Sequence, residues 1–147
     1  NANSTEINPE TKHPVIDIMP EQKEIKEKGA TMRLGAYQAE LLENSTISKL
    51  YNSNQASERH RHRYEVNPIY HQILKNHGLI LSGTSMNGRL VEFIELNNHP
   101  YFVATQSHPE LKSKLTSPAP LFLGLINSCL KIKKFKNNFM LQLNKTS

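Results

Sequence analysis

The sequence predicts an α/β fold with a mixed, partly antiparallel sheet. Three observations carry that expectation. Short apolar runs of strand character recur between turn signals from residue 13 to residue 105. Helical patterns interrupt them, and a longer one follows the last run. The pair Asn87-Gly88 lies between two strand-like runs, the turn chemistry of a tight hairpin, which makes at least one pairing antiparallel.

Residues 1–12 are polar and carry Asn8-Pro9, so they read as a loop. His13 to Pro20 is an apolar run between two prolines and predicts a short strand. Glu21 to Gly29 has Ile25 as its sole apolar residue and reads as a solvated, mobile loop. In Thr31 to Leu42, Met32, Leu34 and Ala36 alternate, which predicts a strand with Gly35 as a bulge or close approach. Ser45 is placed to cap a short helix with Ile47 and Leu50 on one face. Glu58 to Val66 reads as one extended strand, with Arg59, Arg61 and Arg63 on one face and His60, His62 and Tyr64 on the other. Asn67-Pro68 opens a helix carrying Ile69, Ile73 and Leu74, and Gly78 closes it. Leu79 to Gly83, Leu90 to Leu96 and Tyr101 to Thr105 are the next strands. The prolines at 118 and 120 break the chain, and Leu121 to about Ile132 forms the last helix. Residues 133–147 are basic and Asn-rich, and fraying is expected there.

A length of 147 residues suits one domain. No apolar run is long enough to span a bilayer, so no membrane association is expected. The net charge is +5, but acidic residues are spread throughout and no aromatic-basic RNA motif is present. An ordinary basic surface, with no nucleic-acid partner, is the expectation. Cys129 is the only cysteine, which excludes an internal disulfide and a cysteine metal site and suits a reducing, cytoplasmic setting. The first residue is Asn rather than Met, as expected of a processed, trimmed or incomplete piece.

The chemistry concentrates at Gln106-Ser107-His108-Pro109-Glu110, the loop after the last strand. His108 and Glu110 can act as a base and the carboxylate that orients it. The same pentapeptide also suits a plain turn. Such a pair needs a nucleophile. Cys129 lies in a helical pattern without a glycine-rich elbow and reads as structural, and Ser82 and Ser85 do not complete Gly-x-Ser-x-Gly. The three arginines fit either an anion clamp or a charged edge strand. His60 and His62 could share a metal ion, but a third ligand at supportive spacing is lacking, so no metal is expected.

Several of these stretches resemble the CTP synthase family: Asn3-Ser4-Thr5-Glu6, His13 to Gln22, Thr31 to Ala36, Glu58 to Asn67, Ser82 to Ser85, Leu90-Val91-Glu92 and His108-Pro109-Glu110. They fall in the order found in that family's C-terminal glutamine amidotransferase domain, of the class I (triad) type. The resemblance implies the C-terminal part of a flavodoxin-like class I domain over residues 1–132. Residues 1–12 would be a substrate-contacting loop, 20–30 a mobile lid-like loop and 133–147 a tail outside the family. It implies that His108 and Glu110 are two triad members and that Glu6 and Arg63 contact the substrate L-glutamine. The ammonia released would pass to an N-terminal synthetase domain that aminates UTP to CTP with ATP and Mg²⁺. GTP would act as effector, and the intact enzyme would be a homotetramer. This segment itself would hold no cofactor.

The family's nucleophile is a Cys in a Gly-x-Cys-x-Gly elbow ahead of the Asn-Ser-Thr-Glu stretch. The 147 residues are therefore expected to lack it and to be inactive alone. Three departures lie within the matched region. Glu21 to Gly29, where the family carries a mobile lid near the GTP effector site, has its own sequence. Ala30 stands where the family has Gly, and Ser107 stands where it has Phe. The competing expectation is a non-catalytic module, either a degenerate amidotransferase-like domain or a basic binding protein.

Overall fold

The strands expected from the apolar runs divide into two sheets. The computed structural model describes residues 1–19 and 32–143, with side chains through 136. The lid-like loop and Ala30 lie outside the described residues. The strands are β1 (Ala2–Ser4), β2 (His13–Ile18), β3 (Arg33–Leu41), β4 (Gln55–His62), β5 (Tyr64–Val66), β6 (Ile80–Ser85), β7 (Val91–Glu95) and β8 (Val103–Thr105). The helices are α1 (Thr46–Tyr51), α2 (His71–Asn76) and α3 (Pro120–Leu143). One sheet has three strands in the order β1-β2-β5, and the other has five in the order β4-β3-β6-β7-β8. β1 runs parallel to β2, and every other pairing is antiparallel. The architecture is thus α/β with mixed pairing, as expected.

Four local readings change. Residues 1–12 are not all loop, because Ala2–Ser4 pairs with the edge of β2. Thr5 continues the attachment, donating its N–H to Ile16 O at 3.0 Å and its hydroxyl to Asp17 Oδ1 at 2.7 Å. A three-residue polar strand held by backbone pairing leaves no periodicity to read.

Glu58 to Val66 is not one strand. It breaks at Arg63, and β4 and β5 belong to different sheets. His62 spans the break, its Nδ1 reaching Tyr64 O at 3.1 Å. Arg59 and Arg61 face solvent from edge strand β4, while Glu58 and His60 are buried on its other face. The charged-edge reading therefore fits Arg59 and Arg61.

Gly35 is neither a bulge nor a close approach. The β3–β4 register runs unbroken past it, and nothing lies within 4 Å of a Cβ built there. Its φ of +105° is what a side chain would strain. Finally, α3 runs past Ile132 to Leu143. Residues 133–143 contain neither Gly nor Pro to end it.

Ser45 caps α1, its side chain accepting the Ser48 N–H at 3.0 Å. Buried Glu95 adds a second cap, accepting the N–H groups of Thr46 at 3.0 Å and Ile47 at 3.2 Å. A carboxylate at a helix start satisfies orphan donors and complements the helix dipole. Asn67 opens a 3-10 turn (Pro68–Tyr70) that leads into α2. Ile69 and Ile73 are exposed there rather than buried. The core joins Ala39, Leu41, Ile47, Ala56, Phe93 and Leu121, with Tyr51 and Val103 packed against them. α1 and the start of α3 thus cover one face of the larger sheet.

Candidate active site

β8 ends at Thr105, and the next five residues are held at every step. The Gln106 N–H donates to Glu92 O of β7 at 3.2 Å, and its side-chain amide donates to Tyr64 O at 3.1 Å. Ser107 is buried. Its N–H reaches Thr105 Oγ1 at 3.0 Å, and the two hydroxyls lie 2.7 Å apart. The His108 N–H donates to Arg59 O of β4 at 2.8 Å. Pro109 then starts a 3-10 turn (Pro109–Leu111), closed by the Leu111 N–H on His108 O at 3.1 Å. Proline suits that first position because its missing N–H has no partner there. The Lys112 ammonium donates to Ser57 O and lies 3.7 Å from Glu58, which ties the turn to β4 again.

This anchoring presents His108 and Glu110 side by side. His108 Nδ1 lies 2.6 Å from Glu110 Oε1. With the side chains 41% and 54% exposed, both remain open to solvent and to a ligand. The hydrogen bond from His108 holds the Glu110 carboxyl below its usual range. An ionised Glu110 accepts the Nδ1 proton and leaves Nε2 as the outward atom, able to take or give a proton.

Strand register brings the other two candidates to this end of the fold. β2 finishes with Ile18 opposite Tyr64, and Arg63 occupies the bend just before Tyr64. β1 finishes at the same end, because Ser4 aligns with Ile16, and Glu6 follows as an exposed residue. Tyr64 O receives the Gln106 amide, so the His108 loop meets the β4–β5 bend there. The register places Glu6 and Arg63 at one end of the three-stranded sheet, and the His108 loop joins the Arg63 bend through Tyr64 O. A contact is seen directly between His108 and Glu110.

Behind the loop lies a buried polar network that the sequence reading did not assemble. Arg33 Nη2 is 2.8 Å from Glu92 Oε1, and Arg33 Nη1 is 3.4 Å from Glu65 Oε1. The guanidinium also lies over the Tyr37 ring, 4.5 Å from its centroid. His60 Nε2 is 3.6 Å from Glu92 Oε2, and His60 Nδ1 is 2.9 Å from His62 Nε2.

The electrostatics follow from burial. Burial opposes the Arg33 charge, but Glu92 and Glu65 outweigh it and hold the guanidinium more firmly protonated than usual. His60 is pushed down to about 3, first by burial and then by Arg33, His62 and His108. Burial and Arg33 lower His62 as well. Burial, with Glu92, raises the Glu65 carboxyl to about 7 against the pull of Arg33. The trace of this network in the sequence is the His60/His62 alternation, while Glu92 between the apolar Val91 and Phe93 reads as solvent-facing. What was hidden was that both faces of β7 are covered. Among the described residues, no group of three or more His, Cys, Asp or Glu side chains is arranged to hold a metal ion.

Residues 7–128 match the family of class-I glutamine amidotransferases. The chain belongs to that family. This amidotransferase chain is 65% identical over 131 residues to the CTP synthase of Methanococcus maripaludis, covering 89% of the chain and 25% of the relative. It is 60% identical over 134 residues to the CTP synthase of Methanocaldococcus jannaschii, covering 90% of the chain and 25% of the relative. The chain thus spans about a quarter of the length of the curated relatives it matches.

Among solved structures, the glutaminase domain of Trypanosoma brucei CTPS with bound acivicin superposes with a TM-score of 0.80 at 39% identity, covering 88% of this chain and 51% of that one. The amidotransferase chain carries no described helix long and apolar enough to cross a membrane.

Proposed function

We propose that this amidotransferase chain supplies the proton-transfer half of a glutamine-hydrolysing site in a CTP synthase. The observation that carries the reading is the 2.6 Å contact between His108 Nδ1 and Glu110 on an anchored, solvent-facing turn. In this reading a cysteine thiolate attacks the glutamine carboxamide. His108 Nε2 delivers a proton to the departing ammonia and later takes one from the water that cleaves the thioester. Glu110 keeps the ring in the Nδ1–H form and stabilises its cation. Arg63 and Glu6 answer the carboxylate and ammonium of the amino acid, since a zwitterion needs both kinds of partner.

Cys129 is a poor candidate for the thiol, being exposed on α3 outside the His108 loop. The thiol therefore comes from outside these residues, and the 147-residue chain is inactive alone. In the intact protein the ammonia serves a synthetase domain that converts UTP to CTP with ATP and Mg²⁺. GTP is the effector, and the cytoplasmic enzyme is a homotetramer. No residue described here is assigned to nucleotide or metal.

Glutamate release from glutamine, measured for the intact protein and for the 147 residues separately, tests this. Release is expected from the intact protein alone. Release from the 147 residues overturns the external thiol, and none from the intact protein overturns the glutaminase reading.

A further inference from the structure

The histidines of the Arg59–Arg63 run have no part in the reaction as just described, yet His60 is buried and His62 nearly so. Their hydrogen bonds form one chain with a forced direction. Tyr64 O can only accept, so the His62 Nδ1 at 3.1 Å must donate. A neutral His62 then presents a lone pair at Nε2, and the His60 Nδ1 at 2.9 Å must donate to it. The neutral form of His60 carries no proton on Nε2, which faces Glu92 Oε2 at 3.6 Å, beyond hydrogen-bond distance. Both rings are thereby fixed with a proton on Nδ1. Of the charged and titratable groups around them, Arg33 from β3 and His108 from the loop oppose a further positive charge, Glu92 from β7 and Glu65 from β5 favour one, and Tyr37 from β3 meets the His60 ring edge-on. Burial and Arg33 disfavour a second cation.

The far end of this chain is the carbonyl that holds the active-site loop. Tyr64 O accepts from His62 and from the Gln106 side chain, each at 3.1 Å. The backbone N–H of the same Gln106 is bonded to Glu92, and His108 follows two residues later on Arg59 O, the residue before His60. The loop thus hangs from the strands that carry the two rings.

We propose that His62, backed by His60, is a positioning residue for glutamine hydrolysis: it fixes the Tyr64 carbonyl that Gln106 uses to hold His108 in place. The proposal rests on the glutaminase reading above. A side chain that can both donate to Tyr64 O and accept from His60 should serve. Glutamine has that pair of groups, and leucine has the bulk without them.

The test uses the intact protein with His62→Leu and His62→Gln, together with ¹⁵N spectra of its histidine rings. H62L is expected to lower kcat for glutamine hydrolysis about 10- to 100-fold, the scale of a misplaced catalytic group, with KM changing far less. H62Q should recover most of that loss. CTP formation from added ammonia should match wild type in both, which reports folding and assembly. In the wild type, His60 and His62 should both appear as Nδ1–H rings, with His60 not titrating between pH 5 and 8.

Equal activity in H62L and wild type overturns the proposal. So does an equal loss in H62Q and H62L, because the site would then require the ring itself. If H62L fails to fold, the wild-type spectra decide: an Nε2–H form of either ring overturns the assignment. The ring spectra do not depend on glutamine turnover. An inactive wild type with the expected rings would therefore overturn the glutaminase reading and, with it, the catalytic purpose of the strut.

Discussion

Two histidine–glutamate couples lie within one small region, and they are built in opposite ways. His108 and Glu110 touch at 2.6 Å on an exposed turn, with side chains 41% and 54% open. His60 and Glu92 face each other at 3.6 Å, with side chains 3% and 1% open. The exposed couple can meet solvent and a ligand, as the proposed proton transfer requires. The buried couple cannot. Arg33 already answers Glu92, and burial drives the His60 ring neutral. The same two residue types therefore stand as the proposed proton handlers in one place and as buried scaffold in the other, and what separates them is solvation.

The contrast breaks most readily at Arg33. Arg33→Leu leaves Glu92 and part of Glu65 buried without a counter-charge, and it should lower the unfolding free energy by about 3–5 kcal/mol in a denaturant titration. An unchanged midpoint would mean that the network carries no net charge to compensate.

Glu65→Gln sharpens the contrast through pH. The Glu65 carboxyl is raised to about 7 in the fold from an ordinary 4.5. Its contribution to stability is fully present below pH 4.5 and is lost as pH rises through 7, by at most roughly 3 kcal/mol. Thermal unfolding across pH 4–8 should show that decline in the wild type and a flatter profile in the variant. Parallel profiles would refute the assignment.

On the exposed side, Glu110→Gln should leave stability nearly unchanged while slowing glutamine hydrolysis by the intact protein about 10- to 100-fold. A large stability loss would place Glu110 with the scaffold instead. The smallest effect is expected at Arg61→Ser on the solvent face of β4, within ~0.5 kcal/mol of wild type by denaturant titration.

Much of this was legible in the residues. Ser45 and Asn67 announced their helix starts, and Asn87-Gly88 its hairpin. The spacing of His108 and Glu110 predicted a pair, and the structure brings their side chains together. What could not be read was long-range. Nothing local shows that Ala2–Ser4 would find the edge of β2. The break at Arg63 depends on Tyr64 pairing with Ile18 in another sheet. Glu92 alternates with apolar neighbours as a solvent-facing residue would, and it is buried because both faces of β7 are covered. The purpose of His60 and His62 stayed hidden for the same reason, since their partners lie on β3, β7 and the loop after β8.

In the proposed function His108 acts in glutamine chemistry and not in holding the fold. The decisive quantity is the ratio of glutamine-dependent to ammonia-dependent CTP formation in the intact His108→Ala protein. The expected result is a ratio near zero, with ammonia-dependent synthesis at the wild-type rate. A wild-type ratio, or loss of both activities together, would contradict the role assigned to His108.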